Sequence, residues 1–213
     1  MPDALDAFSP AVQAWFRQTF GQPTPPQAQG WPAIQRGEHT LILAPTGSGK
    51  TIAAFLWGID QIYRELAAGT APKGIRLLYV SPLKALNNDV HRNLDVPLLG
   101  IRRTAHEMGL ELPPLLTALR TGDTPQSARA AMIKKPPHIL VTTPESLYLM
   151  LGGERAREIF RTVSTVIVDE IHTVVGEKRG VHLALSIERL EHLAGRPIQR
   201  IGLSATIRPL EEA

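Results

Sequence analysis

Cysteine is absent from this sequence of 213 residues, so the chain can form neither a disulfide bond nor a thiolate metal site. No apolar run approaches the roughly 18 residues that a membrane-spanning helix needs. The first residues also lack the basic segment and the apolar stretch of a secretory signal peptide. We therefore expect a globular cytoplasmic protein with no membrane partner.

The excess of basic over acidic residues is small as well. The formal net charge is +3, which permits contact with nucleic acid but does not demonstrate it, because an ordinary, mildly basic surface has the same charge. The seven histidines show no metal-ligand spacing with a glutamate between them. We assign no metal site to them.

A phosphate-binding loop is the strongest signal that the sequence does contain. Apolar residues 41–43 predict a strand, and the apolar periodicity after Lys50 predicts a helix. The glycines between them let backbone N–H groups converge on a phosphate, at which the helix also directs its positive dipole end. Lys50 then reaches the β- and γ-phosphates of ATP, and the Thr51 hydroxyl coordinates Mg²⁺. The expected nucleotide-binding residues are Thr46, Gly47, Ser48, Gly49, Lys50 and Thr51.

The match to the P-loop pattern is incomplete at one position. Ala44 stands where the strict pattern has glycine, and a chance glycine-rich turn is the alternative interpretation. The strand before the loop and the helix after it favour the phosphate-binding interpretation, because true P-loops have this context.

An acidic pair, Asp169 and Glu170, follows the β-branched residues 166–168, which predict a buried strand. Asp169 can hold Mg²⁺ through the water shell of the ion, as a Walker-B aspartate does, and Glu170 can orient and deprotonate the attacking water. The alternative is an acidic first turn of a helix. With a P-loop in the same chain, we expect Lys50, Asp169 and Glu170 to be the catalytic residues.

Three further segments repeat one pattern, in which a short apolar strand ends in a turn that opens a helix. Parallel strands joined by helical crossovers place such turns at one edge of a sheet. We therefore expect the turns to follow the phosphate backbone of a nucleic acid, although each could be only a capped helix start. The predicted contacts are Pro82, Lys84 and Ala85 in the first turn, Thr121 and Gly122 in the second, and Thr143, Pro144 and Glu145 in the third.

The chain divides at residue 30 into an N-terminal helical segment and a larger domain over residues 31–213. Residues 5–20 predict an amphipathic helix, and the prolines of residues 21–32 predict a turn before Gln27. The Gln27 amide carries a donor and an acceptor, which suits the edge of adenine, although a proline-rich turn with one glutamine is usually only a turn. Farther along, we expect the helix over residues 90–110 to be interrupted near Pro97. Residues 176–180 should form a charged loop before a helix over residues 181–193.

In chain order, these segments resemble the motifs of superfamily-two helicases. Motifs I, II and III are matched by residues 44–51, 169–172 and 204–206, the Q motif by residues 23–27, and motifs Ia, Ib and Ic by residues 81–86, 121–125 and 142–147. The amino-acid sequence of these motifs most resembles that of large helicase-related (Lhr-type) proteins at residues 81–89, 142–147, 169–172 and 177–180. Ski2-like helicases, which share the Asp-Glu-Ile-His form of motif II and a downstream Arg-Gly, are the near alternative.

The resemblance implies an α/β fold, a RecA-like P-loop NTPase lobe whose largely parallel sheet has helices on both faces. It implies ATP and Mg²⁺ as cofactors, with Gln27 reading adenine. It also implies that His172, Ser204 and Thr206 couple the nucleotide site to the nucleic-acid site, whereas a purely structural role is the alternative for the histidine. These helicases stack an aromatic ring on adenine, and the candidates are Phe8, Trp15, Phe16 and Phe20.

The resemblance further implies partners. The nucleic acid would be single-stranded DNA, with RNA as the alternative. Motors of this kind need a second RecA-like lobe, which does not follow Thr206, so the chain resembles the first lobe alone and is expected to be essentially inactive by itself. The whole enzyme would be an ATP-dependent 3′-to-5′ helicase that unwinds DNA or RNA:DNA hybrids in DNA repair. A nucleotide-gated module that binds nucleic acid without unwinding it is the alternative.

Overall fold

The described part of the chain contains a sheet of six strands. The computed structural model describes residues 3–81 and 86–205. For residues 86–93 it describes the backbone only. The strands in the described part are β1 Thr40–Leu43, β2 Leu77–Val80, β3 Thr117–Arg120, β4 Ile139–Thr142, β5 Thr165–Val168 and β6 Gln199–Ser204. They form one sheet in the order β1-β6-β5-β2-β4-β3. Each of these pairings is parallel, which confirms the predicted parallel sheet.

Helices connect the strands, as parallel pairing requires. They are α1 Pro10–Phe20, α2 Pro25–Gln35, α3 Lys50–Ala67, α4 Leu86–Glu107, α5 Gln126–Lys134, α6 Pro144–Gly152, α7 Glu154–Glu158 and α8 Lys178–Ala194, with a short 3-10 helix at Ile171–Thr173. The chain therefore alternates strand and helix from β1 onward. This alternation is the α/β pattern that the sequence predicted.

Successive side chains of each strand enter opposite cores, because the side-chain period of a strand is two residues. On β2, Leu77 and Tyr79 lie in a core with α1, α2, α3 and α4. Leu78 and Val80 lie in the other core, with α6 and α8. The sheet is thus covered by helices on both faces, as predicted, and its interior strand β2 is buried on both sides.

The proline-rich segment after α1 turns at residues 21–24, before Gln27 as predicted, but it becomes helical at Pro25. Pro25 and Pro26 occupy the first positions of α2, where a helix needs no N–H donor. Thr24 and Gln27 form a capping box, in which the backbone N–H of Thr24 donates to Gln27 Oε1 at 2.9 Å. Helix α2 continues through Pro32 because the helix face that includes Trp31 is buried against the rest of the protein.

Those contacts join the N-terminal segment to the rest of the chain. Trp31 is fully buried and donates from its indole Nε1 to the Ala53 carbonyl inside α3, at 3.1 Å. Phe16 of α1 packs on the same ring, with 5.3 Å between the ring centroids. Helices α1 and α2 therefore belong to the same hydrophobic core as the sheet. The division at residue 30 stays a prediction, and α2 spans it.

Two other local expectations differ from the structure. Helix α4 runs through Pro97 without interruption, because Leu94, Leu98 and Ile101 bury its inner face in the core. Helix α8 begins at Lys178, so the predicted charged loop is already helical over its last residues. In the described part of the chain, no helix is long and apolar enough to cross a membrane.

Gly180 in the first turn of α8 permits a close approach of two backbone segments. A Cβ atom placed there would lie 2.1 Å from the Val174 carbonyl oxygen. We expect Gly180→Ala to destabilise the protein by about 1–3 kcal/mol, less the roughly 0.5–1 kcal/mol that alanine gains in a helix. Urea denaturation measures the change.

The matched control is Gly152→Ala at the end of α6, where a Cβ atom would meet nothing within 4 Å. This substitution should leave the free energy of unfolding unchanged or raise it slightly. If Gly180→Ala is no more destabilising than Gly152→Ala, the close approach to Val174 carries no energetic weight.

Candidate nucleotide and nucleic-acid site

The loop between β1 and α3 has the backbone of a phosphate-binding loop. Gly47 and Gly49 have φ values of 81° and 83°, in the left-handed region that residues with a Cβ atom rarely adopt. Gly49 is the N-cap of α3, so the loop ends where the first N–H groups of that helix lack intrahelical partners. Such an N-terminus attracts an anion.

Two side chains of the loop lack the partners that burial demands. Lys50 is 6% exposed and has no carboxylate partner in the described part of the chain. The Ser48 hydroxyl oxygen is buried and makes no hydrogen bond with any of the described residues. Buried polar and charged groups are normally satisfied. A bound phosphate group would supply both the negative charge and the acceptor, so the residues present fit a nucleoside phosphate.

Helix α2 holds this loop from outside. The Thr24 hydroxyl donates to the Ser48 carbonyl at 2.8 Å, and Gln27 Nε2 donates to the Gly49 carbonyl at 3.3 Å. Gln27 is 3% exposed. Its amide oxygen and nitrogen therefore each have one protein partner already, and each retains one further hydrogen-bonding position. The predicted adenine reader lies against the P-loop and helps to fix its backbone.

The acidic pair lies just past the end of β5. The Asp169 N–H donates to the Val80 carbonyl at 2.9 Å, which extends the pairing of β5 with β2 by one residue. Asp169 Oδ1 accepts from the Glu170 N–H at 2.9 Å, and the Tyr79 hydroxyl donates to Asp169 Oδ2. A three-residue 3-10 helix follows, so the pair does not open an α-helix.

Glu170 has an unusual backbone conformation. With φ 49° and ψ 45° it is the one non-glycine residue with positive φ in the described part of the chain. Such a conformation costs about 1–3 kcal/mol and is concentrated at functional sites. The chain turns at Glu170, just after β5, and the side chains of Glu170 and His172 lie in contact with each other.

His172 connects the acidic pair to β6. Its Nδ1 lies 3.0 Å from Ser204 Oγ and 3.3 Å from Glu170 Oε2. The Ser204 hydroxyl donates to the Ala205 carbonyl, so His172 Nδ1–H is the donor toward both oxygens. The Ser204 carbonyl in turn accepts from the Ala44 N–H at 3.2 Å. The structure thus brings His172 and Ser204 together between the P-loop and the acidic pair, while Thr206 lies outside the described residues.

The predicted nucleic-acid turns follow β2, β4 and β3, which are neighbours in the sheet. Thr143 caps α6, because its hydroxyl accepts from the Ser146 N–H at 3.3 Å, and Pro144 is the first residue of that helix. In the turn after β3, Arg129 donates to the Gly122 and Thr124 carbonyls, each at 2.7 Å. Thr121 donates its N–H to the Thr124 hydroxyl. Pro82, Lys84 and Ala85 lie outside the described residues.

Glu145 in this region pairs with Arg179 at the start of α8, with 2.6 Å between Oε1 and Nε. Burial, the largest single effect, would raise the pKa of Glu145, but hydrogen bonds from Arg179, the backbone and Thr143 and the charge of Arg179 together outweigh it, and the pKa is lowered. The carboxylate is therefore ionised and would repel a phosphate directly. Its contact joins the third turn to the segment that follows motif II.

Sequence reasoning missed two of these residues and left a third undecided. Thr24 lies in the segment that resembles the Q motif but received no role of its own, and Tyr79 lies inside an apolar strand without a motif. Of the four aromatic candidates for adenine stacking, Phe8, Trp15 and Phe16 are at most 3% exposed, whereas Phe20 is 49% exposed. Only burial in the folded chain distinguishes them.

Comparison with known proteins agrees with this geometry. The family model described as DEAD/DEAH box helicase matches residues 24–213. The chain therefore belongs to the DEAD/DEAH box helicase family.

Particular relatives are named as Lhr helicases, which confirms the resemblance seen in the sequence. The Lhr helicase/probable uracil glycosylase of Mycolicibacterium smegmatis is 55% identical over 210 residues, and the ATP-dependent helicase Lhr-Core protein 2 of Thermococcus barophilus is 53% identical over 201 residues. These alignments cover 99% and 94% of this chain but 14% and 23% of the two relatives. This chain thus spans a minor part of their length.

A solved structure supports the same fold. The structure of Mycobacterium smegmatis helicase Lhr bound to ssDNA and AMP-PNP superposes with a TM-score of 0.91 at 55% identity. The match covers 99% of this chain and 26% of that chain. Since that protein is a helicase, the fold of the present chain is a RecA-like helicase lobe, as predicted.

The contact between α2 and the P-loop can be tested at Gly49. Alanine at Gly47 or at Gly49 should cost about 1–2 kcal/mol of stability, because each residue is left-handed. At Gly49 the added Cβ would also lie 2.5 Å from Gln27 Nε2, whereas at Gly47 it would meet nothing within 4 Å. We expect Gly49→Ala to cost roughly 0.5–1.5 kcal/mol more than Gly47→Ala, since the Gln27 hydrogen bond is lost.

Urea denaturation of both variants, repeated in a Gln27→Ala background, measures this difference. Without the Gln27 side chain, the two alanine substitutions should cost the same. An excess cost at Gly49 that persists in the Gln27→Ala background would contradict the assigned contact.

Proposed function

We propose that this chain is the ATP-binding motor lobe of an Lhr-type, ATP-dependent nucleic-acid helicase. The observation that carries the proposal is the continuous set of contacts from the P-loop through Ser204 and His172 to Glu170. A phosphate-binding loop and an acidic pair are two of the parts that P-loop NTPases use for nucleotide hydrolysis, and the contacts of Ser204 and His172 connect them. The names of the relatives support the finer assignment to Lhr-type helicases.

The nucleotide half of the site divides its work among the loop residues. The backbone N–H groups of Thr46, Gly47, Ser48 and Gly49 would surround the phosphates, and the buried Lys50 would neutralise their charge. Gln27 and the exposed ring of Phe20 would contact adenine. The bound AMP-PNP of the M. smegmatis Lhr structure supports this assignment.

The residues also fit a magnesium ion. In the described part of the chain no group of three or more acidic or histidine side chains could hold a metal by itself. Mg²⁺ bound to a nucleotide needs only one or two protein oxygens, and the Thr51 hydroxyl and the Asp169 carboxylate, through water, would provide them. The ion would neutralise charge that develops on the phosphates.

Glu170 would act as the base toward the attacking water. Its backbone is held in the left-handed conformation, and His172 lies 3.3 Å from its Oε2 atom. A base must be positioned within hydrogen-bond reach of its water, and this contact restricts the carboxylate. His172 and Ser204, together with Thr206, would transmit changes at the nucleotide to the rest of the lobe.

The nucleic-acid half would follow the turns after β2, β4 and β3. Single-stranded DNA is the proposed ligand because the M. smegmatis Lhr structure contains ssDNA, and RNA is the alternative. Thr121, Gly122, Thr143 and Pro144 would face the phosphate backbone, with Pro82, Lys84 and Ala85 completing the surface. Contacts to the backbone position a strand without reading its bases.

The whole protein would unwind duplexes in the 3′-to-5′ direction and act in DNA repair, with a second RecA-like lobe closing the nucleotide site. The joint name helicase and uracil glycosylase of one relative is consistent with repair. Strand displacement by the full-length enzyme tests the proposal. ATP-dependent unwinding supports it, whereas nucleotide-dependent binding without unwinding would favour a clamp-like binding module.

Lys50 and Glu170 should differ in what they contribute. Lys50→Ala removes a charged partner of the phosphates, a contact worth about 1.5–3 kcal/mol, and should weaken ATP binding about 10- to 100-fold. Glu170→Gln keeps the shape of the side chain and removes the base, so nucleotide affinity should stay nearly unchanged while turnover by the full-length enzyme is lost. Equilibrium binding of labelled ATP and steady-state ATPase assays measure these effects. Equal losses of affinity in the two variants would refute this division.

The proposed nucleic-acid edge should show a salt-dependent affinity. For single strands, the slope of log K against log salt is about −0.7 for each phosphate neutralised. Arg129→Gln removes a cation beside the turn at Gly122, so the slope for an oligo-dT strand should become less steep by up to about 0.7.

The matched control is Arg161→Gln. Arg161 is a surface residue that pairs with Glu158. It lies before the N-terminal end of β5, whereas the proposed nucleic-acid turns follow the C-terminal ends of their strands. The Arg161→Gln substitution changes the net charge by the same amount as Arg129→Gln and should leave the slope of log K against log salt unchanged. Fluorescence anisotropy at several salt concentrations gives both slopes, and an equal change in the two variants would show that only net charge matters.

A further inference from the structure

Tyr79 lies beside the acidic pair although it belongs to no sequence motif. It is the third residue of β2 and is level with Ile167 of the parallel neighbour β5. Its side chain lies on the sheet face that packs on α3, the helix that follows the P-loop. Asp169 comes two residues after Ile167, so the alternation of a strand directs its side chain to the same face.

The Tyr79 ring is held in one position. It is 1% exposed and stacks on Phe55 of α3, with 4.8 Å between ring centroids and 22° between ring planes. Phe55 is itself fully buried and follows Thr51 by about one helical turn. The ring therefore has no room to turn away, and its hydroxyl is aimed at Asp169 Oδ2.

The hydroxyl is the donor in its contact with Asp169, because an ionised carboxylate can only accept a hydrogen bond. A protonated hydroxyl donates to a carboxylate and stabilises one orientation of it. With the Glu170 N–H on Oδ1 and Tyr79 on Oδ2, both Asp169 oxygens are held by donors of the chain.

We propose that Tyr79 is a positioning residue, which orients the Asp169 carboxylate for the water shell of the nucleotide-bound Mg²⁺. Partners of metal-binding side chains typically change metal affinity 10- to 100-fold when they are removed. The proposal rests on the proposed function, because it assumes that Asp169 holds this ion. It adds a residue of β2 to the magnesium site and explains why a tyrosine hydroxyl is buried among apolar side chains.

The test separates magnesium-dependent from magnesium-independent nucleotide binding. The dissociation constant of fluorescently labelled ADP is measured with Mg²⁺ and with EDTA. Tyr79→Phe should weaken binding in Mg²⁺ by about 10-fold and leave binding in EDTA unchanged, because only the orientation of Asp169 is lost. A merely structural role would weaken binding under both conditions by the same factor, and that result would overturn the proposal.

Tyr63→Phe is the matched control. Tyr63 is also buried in α3, and its hydroxyl donates to the Leu98 carbonyl, away from Asp169. Its ratio of the two dissociation constants should equal that of the unaltered chain. An equal loss of the magnesium effect in Tyr63→Phe and Tyr79→Phe would also overturn the proposal.

Two further variants keep the test decisive. Phe55→Leu retains the Tyr79 hydroxyl but removes the ring that holds it, and should reduce the magnesium effect to a smaller extent, even if Tyr79→Phe does not fold. In an Asp169→Asn background, Tyr79→Phe should have no additional effect on the ratio. If the unaltered chain binds labelled ADP equally with and without Mg²⁺, the proposed function itself fails. If the unaltered chain shows the magnesium effect, and Tyr79→Phe and Phe55→Leu show the same effect, then the role of Tyr79 fails while the proposed function stands.

Discussion

The parallel pairing of β6 with both β1 and β5 is the constraint on which the site depends. The last strand of the sheet in chain order lies between the strands that precede the P-loop and the acidic pair. Neighbouring strands are about 4.8 Å apart, so β1 and β5 are separated by roughly 10 Å, which leaves room for phosphates between the two loops. Ser204 at the end of β6 then contacts the P-loop through its carbonyl and His172 through its hydroxyl.

Around this arrangement, buried side chains hold backbone conformations that would be unfavourable in isolation. Glu170 is left-handed without being glycine, and such strain persists only where the surrounding structure determines it. The acidic pair is held by Tyr79 on one side and by His172 on the other. Thr24 and Gln27 hold the P-loop carbonyls in the same way. The candidate site residues are thus held in position by the core behind them.

Strand β2 belongs to both halves of the functional edge. Tyr79 contacts the acidic pair of β5, and two residues later the Ser81 N–H donates to the Thr142 carbonyl of β4. The nucleotide side and the proposed nucleic-acid side therefore share one rigid strand. The Glu145–Arg179 ion pair makes a second connection, from the turn after β4 to the helix that follows motif II. These contacts connect the candidate nucleotide site to the proposed nucleic-acid edge.

The sequence by itself determined the strand–helix alternation, the parallel sheet, the P-loop and the acidic pair, because apolar periodicity and glycine positions are local properties. It predicted a break over residues 21–32, which the structure confines to residues 21–24, and another near Pro97. Helices α2 and α4 continue through Pro32 and Pro97, since packing of Trp31 and Leu98 outweighs the local cost of proline. Only the tertiary structure decided that Gln27 lies on the P-loop, that Phe20 alone of four aromatic candidates is exposed, and that Tyr79 reaches Asp169. These facts depend on strand order and burial, which bring together residues as far apart as 90 positions in the chain.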